Sequence, residues 1–174
     1  MRYAVIYESK SGNTRMLADE IYDALDTEDK EILDLSVSTD VPEADVYFVG
    51  FGIHNGLCSA NMLDCFELIE GGKLALFATC GFFPTDSYKA KLEKHLEVWM
   101  PDEAEYMGMF LCQGSVDPES RDKMIEKMPD KERELKQMFE EGSCHPDPED
   151  LENVSDFALK IQKEAEHNGK IHIW

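Results

Sequence analysis

Tyr3-Ala4-Val5-Ile6-Tyr7-Glu8-Ser9-Lys10-Ser11-Gly12-Asn13-Thr14 joins a short apolar run to the first turn of a helix. Tyr3 to Tyr7 is β-branched and aromatic enough for a buried strand, and Asn13 or Thr14 opens a segment with Leu17, Ile21 and Leu25 four apart. The N–H groups of a helix's first turn have no partners within the helix, and the positive end of its dipole lies there as well. Together they make an anion site. The hydroxyls of Ser9, Ser11 and Thr14 add donors, Lys10 adds a charge, and Gly12 lets the backbone come close. Tyr7 to Thr14 therefore reads as a phosphate cradle. The glycine and lysine spacing of a Walker loop is absent, and so is the Gly-x-Gly-x-x-Gly of a dinucleotide fold.

Onward from this segment, strands alternate with helices. Strands are expected at Arg2–Glu8, Lys30–Leu35, Val46–Phe51, Leu74–Thr79 and Tyr106–Cys112. Helices are expected at Asn13–Leu25, Ser59–Glu70 and Pro84–Met100, the last with Tyr88, Leu92, Leu96 and Trp99 spaced to pack on the sheet. Ser36 to Asp45 is ten residues with Pro42, too short for a crossover helix. Asp117-Pro118 and Asp147-Pro148 each combine a cap with proline at the first helical position. The first opens two amphipathic pieces split at Pro129-Asp130; the second opens a final helix striped by Leu151, Val154, Ala158, Ile161 and Ala165. The pattern predicts one α/β domain over residues 1–174, a parallel sheet covered on both faces.

Composition narrows the function classes. A net charge of −20 disfavours binding to nucleic acid or an anionic membrane, since phosphate contacts need Lys and Arg. Arg15 to Asp45 alone carries eleven carboxylates against Arg15 and Lys30, read as a solvated face. No run approaches the ~18 apolar residues of a membrane span, and the expected location is cytoplasmic. The five cysteines, Cys58, Cys65, Cys80, Cys112 and Cys144, include no Cys-x-x-Cys pair. Reduced thiols are expected, with Cys58, Cys80 and Cys112 packed and no metal site, over the alternative that these three and His54 form a mixed metal site or a redox thiol pair.

The stretch Ser9-x-Ser11-Gly12-Asn13-Thr14 resembles the first loop of the flavodoxin family, which wraps the phosphate of FMN. The resemblance extends over nearly the whole chain, with only this loop matching a specific motif. It implies a flavodoxin-like three-layer sandwich, a five-stranded sheet of order 2-1-3-4-5 with FMN where the order reverses between strands one and three. That order and placement are carried over from the family, which exemplifies the general rule. Ser9, Lys10, Ser11, Gly12, Asn13 and Thr14 would hold the phosphate. Gly52, Ile53, His54, Asn55, Gly56 and Leu57, with Thr79, Cys80, Gly81, Phe82 and Phe83, would hold the ring, and Cys112 and Gln113 would form an edge.

The chain departs from the family in two ways. Flavodoxins commonly stack the ring between Trp and Tyr with acids nearby, whereas the second and third loops here offer His54, Leu57, Phe82 and Phe83 and no carboxylate. A carboxylate about 10 Å from a reduced, anionic ring opposes it by roughly 0.8 kcal/mol at a dielectric near 40, on the order of 35 mV. A less negative potential follows, with His54 as a positive partner. Secondly, the extra helical segment, Glu119 to Glu141, follows strand five instead of interrupting it. If it returns to the top of the sheet, Cys144 and His145 border the ligand edge or a docking site; the alternative, which the turn-forming composition favours, is a plain helix connection. They lie in a Ser-x-His-Pro-Asp stretch similar to one in some anaerobe flavodoxin-like proteins. The implied function is an FMN electron carrier serving a partner reductase or oxidoreductase, with no catalytic residue of its own. The alternatives are a flavin-dependent reductase or oxidase acting on a quinone or tetrapyrrole, and an interaction module with the cofactor site unused.

Overall fold

A computed structural model of the chain describes residues 1–169. The five strands are β1 (Tyr3–Glu8), β2 (Lys30–Asp34), β3 (Val46–Gly52), β4 (Lys73–Cys80) and β5 (Glu105–Gln113). All neighbours pair in parallel, in the order β2-β1-β3-β4-β5 that the resemblance implied. The helices are α1 (Asn13–Ala24), α2 (Ala60–Glu67), α3 (Asp86–Leu96), α4 (Pro118–Lys127), α5 (Glu132–Glu141) and α6 (Pro148–Gly169). Ser36 to Asp45 forms a turn and extended chain without a helix.

Alternation along the strands sorts the core into two layers. Ala4, Ile6, Val49, Phe51, Leu76 and Ala78 face α2 and α3, where Met62, Phe66, Leu92 and Leu96 meet them. Tyr3, Val5, Tyr7, Phe48 and Phe77 face α1 and α6, against Leu17, Ile21, Val154, Ala158 and Ile161. A third, separate cluster joins Leu135, Met138 and Phe139 of α5 to Val116, Met124, Ile125 and Met128. The segment after β5 thus carries a small core of its own.

Trp99 corrects one expectation. It is 47 % exposed because α3 ends at Leu96, and without a continuing helix the apolar spacing no longer aims it at the sheet. Of the histidines outside the expected site, His95 is exposed on α3 and His167 is exposed near the end of α6; His172 lies outside the described residues.

Candidate functional site

The site is built from the carboxyl ends of β1, β3, β4 and β5. The first loop folds back on itself, with the Gly12 amide donating to Ser9 Oγ at 3.1 Å. Gly12 then starts α1 with φ +91°, a left-handed conformation suited to glycine, and no side chain caps the helix. The first turn of α1 also holds no carboxylate, although the chain as a whole is strongly acidic. Its free N–H groups and dipole remain available to an external anion.

Two polar contacts fix this helix end. The buried hydroxyls of Thr14 and Thr79 share a hydrogen bond of 3.1 Å, tying α1 to the end of β4. Asn13 Nδ2 donates to the Ser115 carbonyl at 2.9 Å, and Ser115 Oγ donates to Asn13 Oδ1 at 3.1 Å, tying it to the loop after β5. That loop is held in turn to β4, since the Gly114 amide donates to the Cys80 carbonyl at 2.8 Å.

The second loop is a two-residue reverse turn. His54 and Leu57 exchange backbone hydrogen bonds of 2.9 and 3.1 Å around Asn55 and Gly56, whose φ angles are 53° and 78°. Asn-Gly is the pair best suited to positive φ at both centres. The turn sends Leu57 toward the α2 and α3 core and brings the His54 ring back over Gly52. A Cβ on Gly52 would stand 3.6 Å from His54 Nε2, 3.8 Å from Thr79 Oγ1 and 4.0 Å from Thr14 Oγ1. Glycine leaves that polar hollow open. In the third loop the Cys80 thiol donates to the Phe82 carbonyl at 3.2 Å, and burial pushes its pKa up to about 12. Phe82 meets Tyr88 edge to face at 6.2 Å.

These loops and α4 enclose one cleft of about 530 Å³, a volume ordinary for a cofactor site. Lys10, Ser11, Asn13, Thr14, Gly52, Ile53, His54, Asn55, Gly56, Thr79, Cys80, Gly81 and Phe82 line it. Ser9 and Gly12 shape the first loop from behind. The structure takes four other sequence candidates elsewhere. Cys112 is a core residue and Leu57 is half-buried against the core, because strand parity and turn direction carry their side chains inward. Gln113 is 5 % exposed and donates to the Met138 carbonyl of α5 at 3.1 Å. Phe83 is 48 % exposed beside the cleft and does not line it.

Sequence reasoning missed the fourth wall. Gly114, Ser115, Val116, Asp117, Ser120, Lys123, Met124, Lys127 and Met128 also line the cleft, with Glu8 and Tyr88. Asp117 caps α4 by accepting from the Ser120 amide at 3.0 Å, and Arg121 Nε donates to the Val116 carbonyl at 2.6 Å. The cap signal was visible in the sequence, whereas the face that α4 turns to the cleft depends on its docking against α5. Three lysines, Lys10, Lys123 and Lys127, thus stand against two carboxylates, Glu8 and Asp117, in a chain of net charge −20.

Cys144 and His145 sit behind the wall formed by the β5 loop. The His145 carbonyl accepts from the Ser115 amide at 3.1 Å, while neither side chain lines the cleft. His145 Nδ1 lies 2.6 Å from Asp150 Oδ2, and this hydrogen bond raises its pKa above the ordinary imidazole value. Cys58 and Cys112 belong to the cores on opposite faces of the sheet, which separates the thiols. A larger hollow of about 890 Å³ opens by Glu43, Asp45, Gly72 and Lys73, at the amino ends of the strands and away from the converging loops.

The flavodoxin domain model matches residues 4–159. The chain belongs to the flavodoxin-domain family. It is 32 % identical over 174 residues to a flavodoxin-like domain-containing protein, BilS, of Clostridioides difficile (strain CD3), covering 95 % of this chain and 98 % of that one. It is 25 % identical to BilS of Clostridium symbiosum (strain WAL-14163), covering 91 % and 95 %. Among solved structures, oxidised flavodoxin 2 from Bacillus cereus superposes with a TM-score of 0.59 at 18 % identity, covering 94 % of this chain and 99 % of that one. Within the flavodoxin-domain frame, the wall supplied by α4 is the part that follows from the segment after β5.

Proposed function

We propose that this protein binds FMN in the cleft and carries electrons to a partner oxidoreductase. One observation carries the reading: the uncapped, acid-free start of α1 opens onto a hollow that a side chain at position 52 would fill. A dianionic phosphate suits that hollow, with free amides of α1 and the hydroxyls of Ser11 and Thr14 as donors. Ile53, Phe82, Tyr88, Met124 and Met128 offer flat or adaptable apolar cover for a ring. When bound, FMN supplies one- and two-electron redox chemistry. The chain's own part is to hold it, exclude water and set the local field.

That field differs from the one the second and third loops alone would give. Glu8 and Asp117 bring carboxylates to the cleft, and Lys10, Lys123 and Lys127 outnumber them. The local surplus of ammonium groups supports a potential less negative than that of a flavodoxin with acids around its ring. Phe82 and Phe83, 39 % and 48 % exposed, give the mouth an apolar rim against which a partner can dock. A cytoplasmic setting belongs to the same proposal, supported by five thiols that are all unpaired. No helix among the described residues is long and apolar enough to cross a membrane.

The extension of the cleft from the three loops to α4, about 530 Å³ in all, favours a second reading, a flavin-dependent reductase acting on a small acceptor. Titration of the apoprotein with FMN and riboflavin tests the cofactor assignment: tight FMN binding with quenched fluorescence and much weaker riboflavin binding is expected. Unchanged FMN fluorescence refutes it. Steady turnover of a small acceptor without a partner protein selects the reductase over the carrier.

A further inference from the structure

We propose that His54 is a phosphate ligand of the cleft and that its protonation sets the preference for FMN over riboflavin. The inference rests on the FMN reading above and adds a role that no loop motif assigns. The reverse turn at Asn55-Gly56 carries the exposed His54 ring back over the end of β3. Its Nε2 joins Thr14 Oγ1 and Thr79 Oγ1 within 4.0 Å of a single point above Gly52. Thr14 lies in the first turn of α1, so this point belongs to the anion end of the cleft.

The proton inventory at that point is short. Thr14 and Thr79 spend one hydroxyl proton on each other, leaving one to share with a ligand. A neutral imidazole presents either a proton or a lone pair at Nε2, and a lone pair repels an anion. The imidazolium always presents a proton and a charge. A phosphate dianion therefore selects the protonated ring, and imidazole is the side chain that ordinarily titrates between pH 5 and 8. Riboflavin has no phosphate and makes no such selection. The charged groups that line the cleft together with His54 are Glu8 and Lys10 from the first loop and Asp117, Lys123 and Lys127 from the α4 wall. Asn61 Nδ2 donates to Glu8 Oε1 at 3.3 Å. Burial raises the pKa values of Cys80 and Tyr88, which keeps both neutral over the working range.

Dissociation constants of FMN and riboflavin should be measured between pH 6 and 8.5 for the wild type, His54→Gln and His54→Lys. The phosphate's own second ionisation, near pH 6, acts on all three proteins and cancels in ratios. The Gln-to-wild-type ratio for FMN should rise roughly tenfold as pH falls across this range, the scale of a charge-assisted hydrogen bond. The riboflavin ratio should stay near one. His54→Lys, whose charge persists across this range, should keep the wild type's low-pH affinity, and its FMN ratio to the Gln variant should not change with pH. The ³¹P resonance of bound FMN should show, beside the phosphate's own ionisation, a further step in the wild type that the Gln variant lacks. A flat FMN ratio, or an equal loss for riboflavin, overturns the role of His54 and leaves FMN binding standing. A wild type that binds neither flavin overturns the cofactor reading and this inference together.

Discussion

Asn13→Ala tests whether the phosphate helix is held in place by the loop after β5. Asn13 is 8 % exposed and makes two hydrogen bonds with Ser115, at 2.9 and 3.1 Å. Each contributes about 1 kcal/mol net, so their loss costs about 2 kcal/mol. Alanine recovers at most about 0.7 kcal/mol through its better helix propensity. A net loss of roughly 1.3 to 2 kcal/mol should remain, a fall in Tm of about 3 to 8 °C for a domain of this size. Urea unfolding of Asn13→Ala, Ser115→Ala and the double variant isolates the hydroxyl bond. The cycle should give a coupling of about 1 kcal/mol, because Ser115→Ala removes only the contact to Asn13 Oδ1. FMN affinity should fall along with stability, since the same clamp orients the free amides. Equal urea midpoints for Asn13→Ala and wild type, or a coupling below about 0.3 kcal/mol, would show that the start of α1 holds its position without the clamp.

The remaining predictions address packing, thiols and pH. A Cβ at Gly52 meets nothing closer than 3.6 Å, so Gly52→Ala should leave the urea midpoint unreduced while FMN affinity drops roughly tenfold or more. A Cβ at Gly114 would lie 2.7 Å from Asn13 Nδ2, so Gly114→Ala should cost about 1 to 3 kcal/mol by denaturant unfolding. Native protein should expose one thiol, Cys144, to a disulfide reagent, and all five after denaturation, because Cys58, Cys65, Cys80 and Cys112 are buried and burial raises their pKa values. The pKa of His145 is raised in the folded state, chiefly by its hydrogen bond to Asp150, with Asp147 and Glu149 adding to it. Its contribution is therefore complete below the ordinary value near 6.5 and is lost as pH rises through the folded value. The urea midpoint of the wild type should exceed that of His145→Gln by more at pH 6 than at pH 8.5.

What could be read from the chain followed the range over which its signals act. The passage from β1 through Gly12 into α1 was legible because strand composition, turn chemistry and helical spacing act within a dozen residues. The caps at Asp117 and Asp147 were legible for the same reason: each side chain accepts from an amide three positions on. Direction was harder to read. Whether Leu57 or His54 enters the cleft depends on two positive φ angles, and whether Trp99 packs depends on α3 continuing past Leu96. Gln113 leaves the ligand edge because its acceptor, the Met138 carbonyl, lies on a helix 25 residues away whose docking no local pattern encodes. The face of α4 was hidden in the same way. Met124 and Met128 serve both the small core under α5 and the wall of the cleft, so one apolar stripe has two neighbours and periodicity cannot divide it between them. Net charge misleads for a related reason. A total of −20 is a property of the whole surface, but fields beyond about 8 Å are largely screened. An anion entering the cleft meets the amides of α1, Lys10 and the lysines of α4 at close range, and these groups govern its binding.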